Sequence, residues 1–153
     1  MIRTEAEYRR AQERLEQEAE TIQRQRQQLE DMDLSDEEVE RALAPMISFR
    51  DQLREEVDMY ERMRRGDLDA LHNLTSIGRW LIGARIAKGW SISELADALG
   101  VSVQQISRDE NNEYRGVTAE RAQRILEALG VRFCAEVEEP IQGQEKSRDA
   151  VPA

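Results

Sequence analysis

The stretch "ALGVSVQQISRDENNEYRG", residues 98–116, gathers side chains suited to hydrogen bonding. Its first half reads as a short helix stopping at Gly100, a tight turn, and a new helix opening at Ser102. Gln104 suits a bidentate contact with adenine and Arg108 one with guanine, and Val103 can pack on a thymine methyl. Ser102 caps its helix, whose first N–H groups can point at a phosphate. The chemistry on offer is recognition of a nucleic acid. Against it stands the charge: 22 basic and 32 acidic residues, a formal −10, on a chain that would meet a polyanion.

Other chemistries have little to work with. There is no Gly-rich phosphate loop, no Cys/His pair and no convergent carboxylate motif, so the chain is not read as an enzyme. Cys134 and His72 are single residues of their type, too few for a zinc site that takes about four N/S ligands. They read as a small apolar filler and a surface or capping residue, and no cofactor or metal is expected. No run of about 18 apolar residues exists, so no membrane span is expected. "MIRTEAEYRR" lacks the apolar core of a signal peptide, and the simplest address is the cytoplasm.

The elements that would position the recognition stretch follow from periodicity and capping. Low proline, glycine and aromatic content fits an all-helical chain. Tyr8, Leu15, Ile22 and Leu29 recur every seventh residue, flanked by Ala11 and Ala19, which predicts a long helix with one narrow apolar seam over 4–31. Such a seam needs a partner helix. Ser35 with Glu38 is a capping box that restarts a helix. Val39, Leu43, Met46, Ile47, Leu53, Val57 and Tyr60 then recur at helical spacing until Gly66. Pro45 inside this run predicts a kink or a split. The two segments are expected to fold back as an antiparallel hairpin, or else to form a coiled coil between two chains.

Shorter signals follow. "SIGRWLIGARIAKGW" places Ile77, Leu81, Ala84 and Ile86 near one face. Ser91 with Glu94, and Ser102 with Gln105, read as two further capping boxes, and Thr118 caps "AERAQRILEALG". "VRFCAEVEE" alternates, with Val131, Phe133, Ala135 and Val137 on one side, and predicts one short strand. A lone strand has no ladder partner in a helical domain, which suggests pairing with a second copy. The remaining tail is polar and expected to be disordered.

The spacing of Ser91, Glu94, Leu95, Ala96, Leu99, Gly100, Val101, Ser102, Ile106 and Glu110 resembles the helix-turn-helix of the Cro/repressor type, also called the xenobiotic-response-element family. The resemblance spans roughly residues 74–131. It implies an all-α chain in which a long helical hairpin precedes a compact four- to five-helix, lambda-repressor-like DNA-binding domain with one short C-terminal strand. The residues that would face the groove fall on Val103, Gln104, Ser107 and Arg108. Ser91, Ser93, Ser102, Asn111, Arg115 and Arg121 fall where phosphates would be contacted. Two positions depart from the pattern. Asp109 stands where the family commonly seals the helix with an apolar residue, and Ile92 replaces a Gln. The implied partner is a double-stranded DNA operator bound by a homodimer.

The front half resembles HigA-type antitoxins more loosely, through Ile2, Thr4, Glu5, Glu7 and Tyr8, then Pro45 and Tyr60. That implies a basic RNase toxin of RelE fold as partner for residues 1–68, and a complex that represses its own operon. The alternative is a stand-alone repressor whose front helices only dimerise or space. The expected organisation is a hairpin over 1–68, a DNA-binding domain over 69–138 and a tail over 139–153. Residues 1–68 hold 12 basic and 19 acidic residues, a net −7, whereas 69–135 hold eight of each. The recognition stretch therefore sits in the neutral part.

Overall fold

The computed structural model describes residues 1–136, and its regular structure is helical throughout. The first two helices, α1 (Glu5–Glu30) and α2 (Asp36–Arg64), form an antiparallel hairpin within one chain. Their ends are paired crosswise: the Tyr8 hydroxyl donates to Glu61 Oε1 at 2.6 Å, and Arg26 Nη1 donates to Glu40 Oε1 at 2.6 Å. Thr4 caps α1 by accepting the Glu7 N–H, and Ser35 and Glu38 cap α2 reciprocally. The seam is the expected one except at Ala19, which is exposed. Tyr8, Ala11 and Ile22 are buried against Val39, Leu43, Val57 and Tyr60, each buried aliphatic contributing about 1.5–3 kcal/mol. The Tyr8 and Tyr60 rings stack with centroids 5.1 Å apart.

Pro45 neither splits nor ends α2, which runs through it. The proline removes one backbone donor. The side chains around it, Leu43, Met46 and Ile47, are packed in the hairpin's tip cluster with Ile22 and Val39, and that packing holds the helix together.

The base of the hairpin continues into the second half. Ile2, Tyr8, Val57 and Tyr60 share one core with Leu81, Ile82, Leu95, Ile106, Ile125, Leu126 and Leu129. After a 3-10 turn, Leu74–Ser76, come α3 (Ile77–Ala87), α4 (Ile92–Leu99), α5 (Val103–Asn111) and α6 (Ala119–Leu129). Each start has a side-chain oxygen on a backbone N–H at α4, α5 and α6: Ser91, Ser102 and Thr118. The reciprocal box forms at Ser91 and Glu94 but not at Ser102, where Gln105 supplies only its N–H. Lys88 closes the other end of α6, donating to the Leu129 carbonyl at 2.7 Å.

One expected element is corrected. Residues 131–136 form no strand, and among the described residues there is no strand of any kind. A strand is a ladder of paired backbone groups, and an extended segment in a single helical chain has none to pair with. Residue 137 and the expected tail lie outside the described residues. No helix among the described residues is long and apolar enough to cross a membrane.

Candidate nucleic-acid interface

Gly100 ends α4 with φ 67°, a conformation that would cost an ordinary residue roughly 1–2 kcal/mol. The chain reverses there, and the Val101 N–H donates back to the Ala96 carbonyl at 3.0 Å. Ala96 is fully buried where the next helix crosses. The turn presents α5 with two contrasting faces. Ile106 and Glu110 point inward and are buried, while Val103, Gln104 and Arg108 are exposed and Ser107 is half-buried. Val103 is an apolar side chain left 40% exposed at the first turn of a helix whose inner face has a core to join.

The inner face is held by a polar anchor that the sequence reading did not single out. Arg85 on α3 and Glu110 on α5 are 2% and 1% exposed and paired bidentately, Nε to Oε1 at 2.5 Å and Nη2 to Oε2 at 2.7 Å. Two further Arg85 bonds go to backbone carbonyls. Nη1 reaches the Trp90 carbonyl at 2.6 Å and Nη2 the Arg3 carbonyl at 3.0 Å. A buried ion pair offsets its desolvation only when such bonds complete it. One side chain thus ties together the entry to α1, the turn before α4, and α5. The detectable signal was an arginine inside the otherwise apolar "LIGARIA" segment, a residue type almost never fully buried unless paired.

Asp109, the departure from the family pattern, has an equivalent partner. Its Oδ2 accepts from Arg121 Nη2 at 2.6 Å, with both side chains 29% exposed. An ion pair to α6 thus covers this position. Both acidic residues of α5 are therefore neutralised by arginines, and the first turn of α5 carries no acid. Its N-terminus keeps the partial positive charge of the helix dipole toward solvent.

The expected phosphate-contacting residues are spread around this face. Ser91 and Ser102 are the exposed N-cap residues of α4 and α5, and Ser93 is exposed in the first turn of α4. The Ser91 hydroxyl is engaged by Glu94 at 2.8 Å, and bonds from Ser91 hold the Glu94 carboxyl below its usual range. Asn111 ends α5 and Arg115 lies in the loop after it, both exposed. Arg121 sits apart from this set, half-buried with its guanidinium on Asp109. No group of three or more His, Cys, Asp or Glu among the described residues is placed to hold a metal.

Residues 81–134, which include α4, the Gly100 turn and α5, match a family model described as helix-turn-helix. The match supports a DNA-binding helix-turn-helix in this segment. No curated protein and no solved structure matches the chain.

Proposed function

We propose that the chain is a sequence-specific transcriptional repressor that binds a duplex DNA operator as a homodimer and reads it with α5. The observation that carries this is the divided face of α5. Its inner side is fixed by Ile106 and the Arg85–Glu110 pair, while Val103, Gln104 and Arg108 stand free at the surface. Gln104 reads adenine, Arg108 guanine, and Val103 packs on a thymine methyl, with Ser107 beside them. Ser91, Ser93, Ser102, Asn111 and Arg115 position the domain on phosphates. Arg121 joins them only if it leaves Asp109. With equal numbers of acids and bases in this half, the phosphate attraction per copy is modest, and two copies on two half-sites make up for it.

Exposed Phe133 and Leu74 line one groove with Leu71, and they support a two-fold contact near residues 131–137. If a chain lacking 131–153 stays dimeric with unchanged stability, that contact is not the interface. The hairpin's net −7 favours an additional role, the docking of a basic partner such as the RNase toxin implied by the antitoxin resemblance. Co-purification through residues 1–68 tests it.

Selection of bound sites from random duplex DNA tests the main reading. The expected product is a palindrome with half-sites about one helical turn apart. Arg108→Ala should cost about 1–3 kcal/mol on the selected site and relax choice at one base pair. Unchanged specific binding by that variant would remove α5 as the reader.

A further inference from the structure

The loop from α5 to α6 contains two consecutive non-glycine residues in the left-handed conformation, Glu113 at φ 51° and Tyr114 at φ 50°. Side chains disfavour this by roughly 1–2 kcal/mol each, so surrounding structure must impose it. The constraint comes mainly from α3. Gly78 has no Cβ, and the Glu113 carbonyl oxygen occupies the space where one would stand. The neighbouring Arg79 donates through Nε to Glu113 Oε2 at 3.0 Å, across 34 positions of sequence. That bond holds the Glu113 carboxyl below its usual range. Tyr114 is buried, and its N–H donates to the Asp109 carbonyl at 2.7 Å. Either side of this clamp lie exposed Asn111 and Arg115.

We propose that Glu113 is a positioning residue for DNA binding: gripped by Gly78 and Arg79, it fixes the loop so that Asn111 and Arg115 meet the phosphate backbone. The proposal rests on the DNA-binding reading and adds a role for α3, which lies outside the reading helix. It makes a prediction opposite in sign to simple charge counting. A carboxylate near phosphates should weaken binding, so deleting it should tighten binding. A positioning carboxylate, already neutralised by Arg79, does the reverse when deleted.

The deciding variant is Glu113→Gly. Glycine adopts φ 51° without strain and keeps the backbone contact at Gly78, so the fold is not threatened, but the Arg79 bond is lost and the loop is loosened on that side. Titrations of the full chain would be run on its selected site and on an unrelated duplex at several salt concentrations. The expected result is an affinity about 3–10-fold weaker on both duplexes, with the dependence of log K on log salt shallower by about one phosphate contact. Base preference should be unchanged and the thermal midpoint not lowered. Arg115→Gln alone should lose the same salt dependence, and the double variant should lose little more. Binding by Glu113→Gly as tight as the wild type or tighter overturns the proposal, as does full additivity with Arg115→Gln. A wild-type chain that binds no duplex fails at the DNA-binding reading itself, which separates the two failures.

Discussion

Replacing Glu110 by alanine should be among the most destabilising single changes in the helix-turn-helix half. The carboxylate accepts both the Nε and Nη2 donors of Arg85 in a site where the two side chains are 2% and 1% exposed. Without it, Arg85 keeps its charge with only the Trp90 and Arg3 carbonyls as partners. Removing one member of a buried pair costs about 3–5 kcal/mol. In a chain of this length that corresponds to a thermal midpoint lower by about 6–20 °C. Replacing both, Arg85→Met with Glu110→Leu, should cost clearly less than the two single changes together, because no uncompensated charge remains. Denaturant titration at fixed pH and ionic strength measures each corner of the cycle. Molar salt should leave the coupling nearly intact, since water and ions do not reach the pair. A Glu110→Ala cost below about 1 kcal/mol, or additive single costs, would refute the reasoning.

Two further predictions concern other polar groups. The Tyr114 hydroxyl is buried without a hydrogen-bond partner among the described residues, and burial pushes its pKa up. Tyr114→Phe should therefore be neutral or stabilising by up to about 1 kcal/mol in denaturant titration, and a clear loss would show that the hydroxyl has a partner after all. Glu38 and Glu94 are held below the usual 4.5 by bonds from Ser35 and Ser91, and Glu113 by Arg79. Depressed carboxyls of this kind contribute stability that is fully present above the unfolded pKa and is lost as pH falls through the folded one. The thermal midpoint should then fall below pH about 4.5, and Glu38→Gln with Glu94→Gln should flatten that fall. An equally steep acid limb in the double variant would count against these caps as its source.

What could be read from the sequence was local. Ser35 with Glu38, Ser91 with Glu94, and the glycine stops at Gly100 and Gly130 each act within one turn of helix, and each stands where expected. The seam of Tyr8, Ala11 and Ile22 was visible because its period is a property of one helix. Arg85 and Glu110 could not be paired in advance, because 25 residues separate them and only tertiary packing brings them together. Gly78 and Gly83 both sit inside α3. They are places where the Glu113 carbonyl and Leu68 approach too closely for a side chain. At Pro45 the local rule allowed a kink or a split, and the split did not occur, because the packed cluster around it keeps the helix continuous. The box expected at Ser102 stayed half-formed because propensity names the cap but not the rotamer of Gln105.

The bond between Arg85 and the Arg3 carbonyl spans 82 residues and has a consequence during synthesis. Arg3 leaves the ribosome well ahead of Glu110, which completes the Arg85 cluster and is made about a hundred residues later. At 5–20 residues per second that is a wait of roughly 5–20 s. Through that interval Ile2 and Tyr8 have only the hairpin to rest on, and the surface destined for the later helices stays open. The nascent front half is thus a provisional structure, exposed to whatever partner or chaperone reaches it first, until α5 arrives and closes the joint.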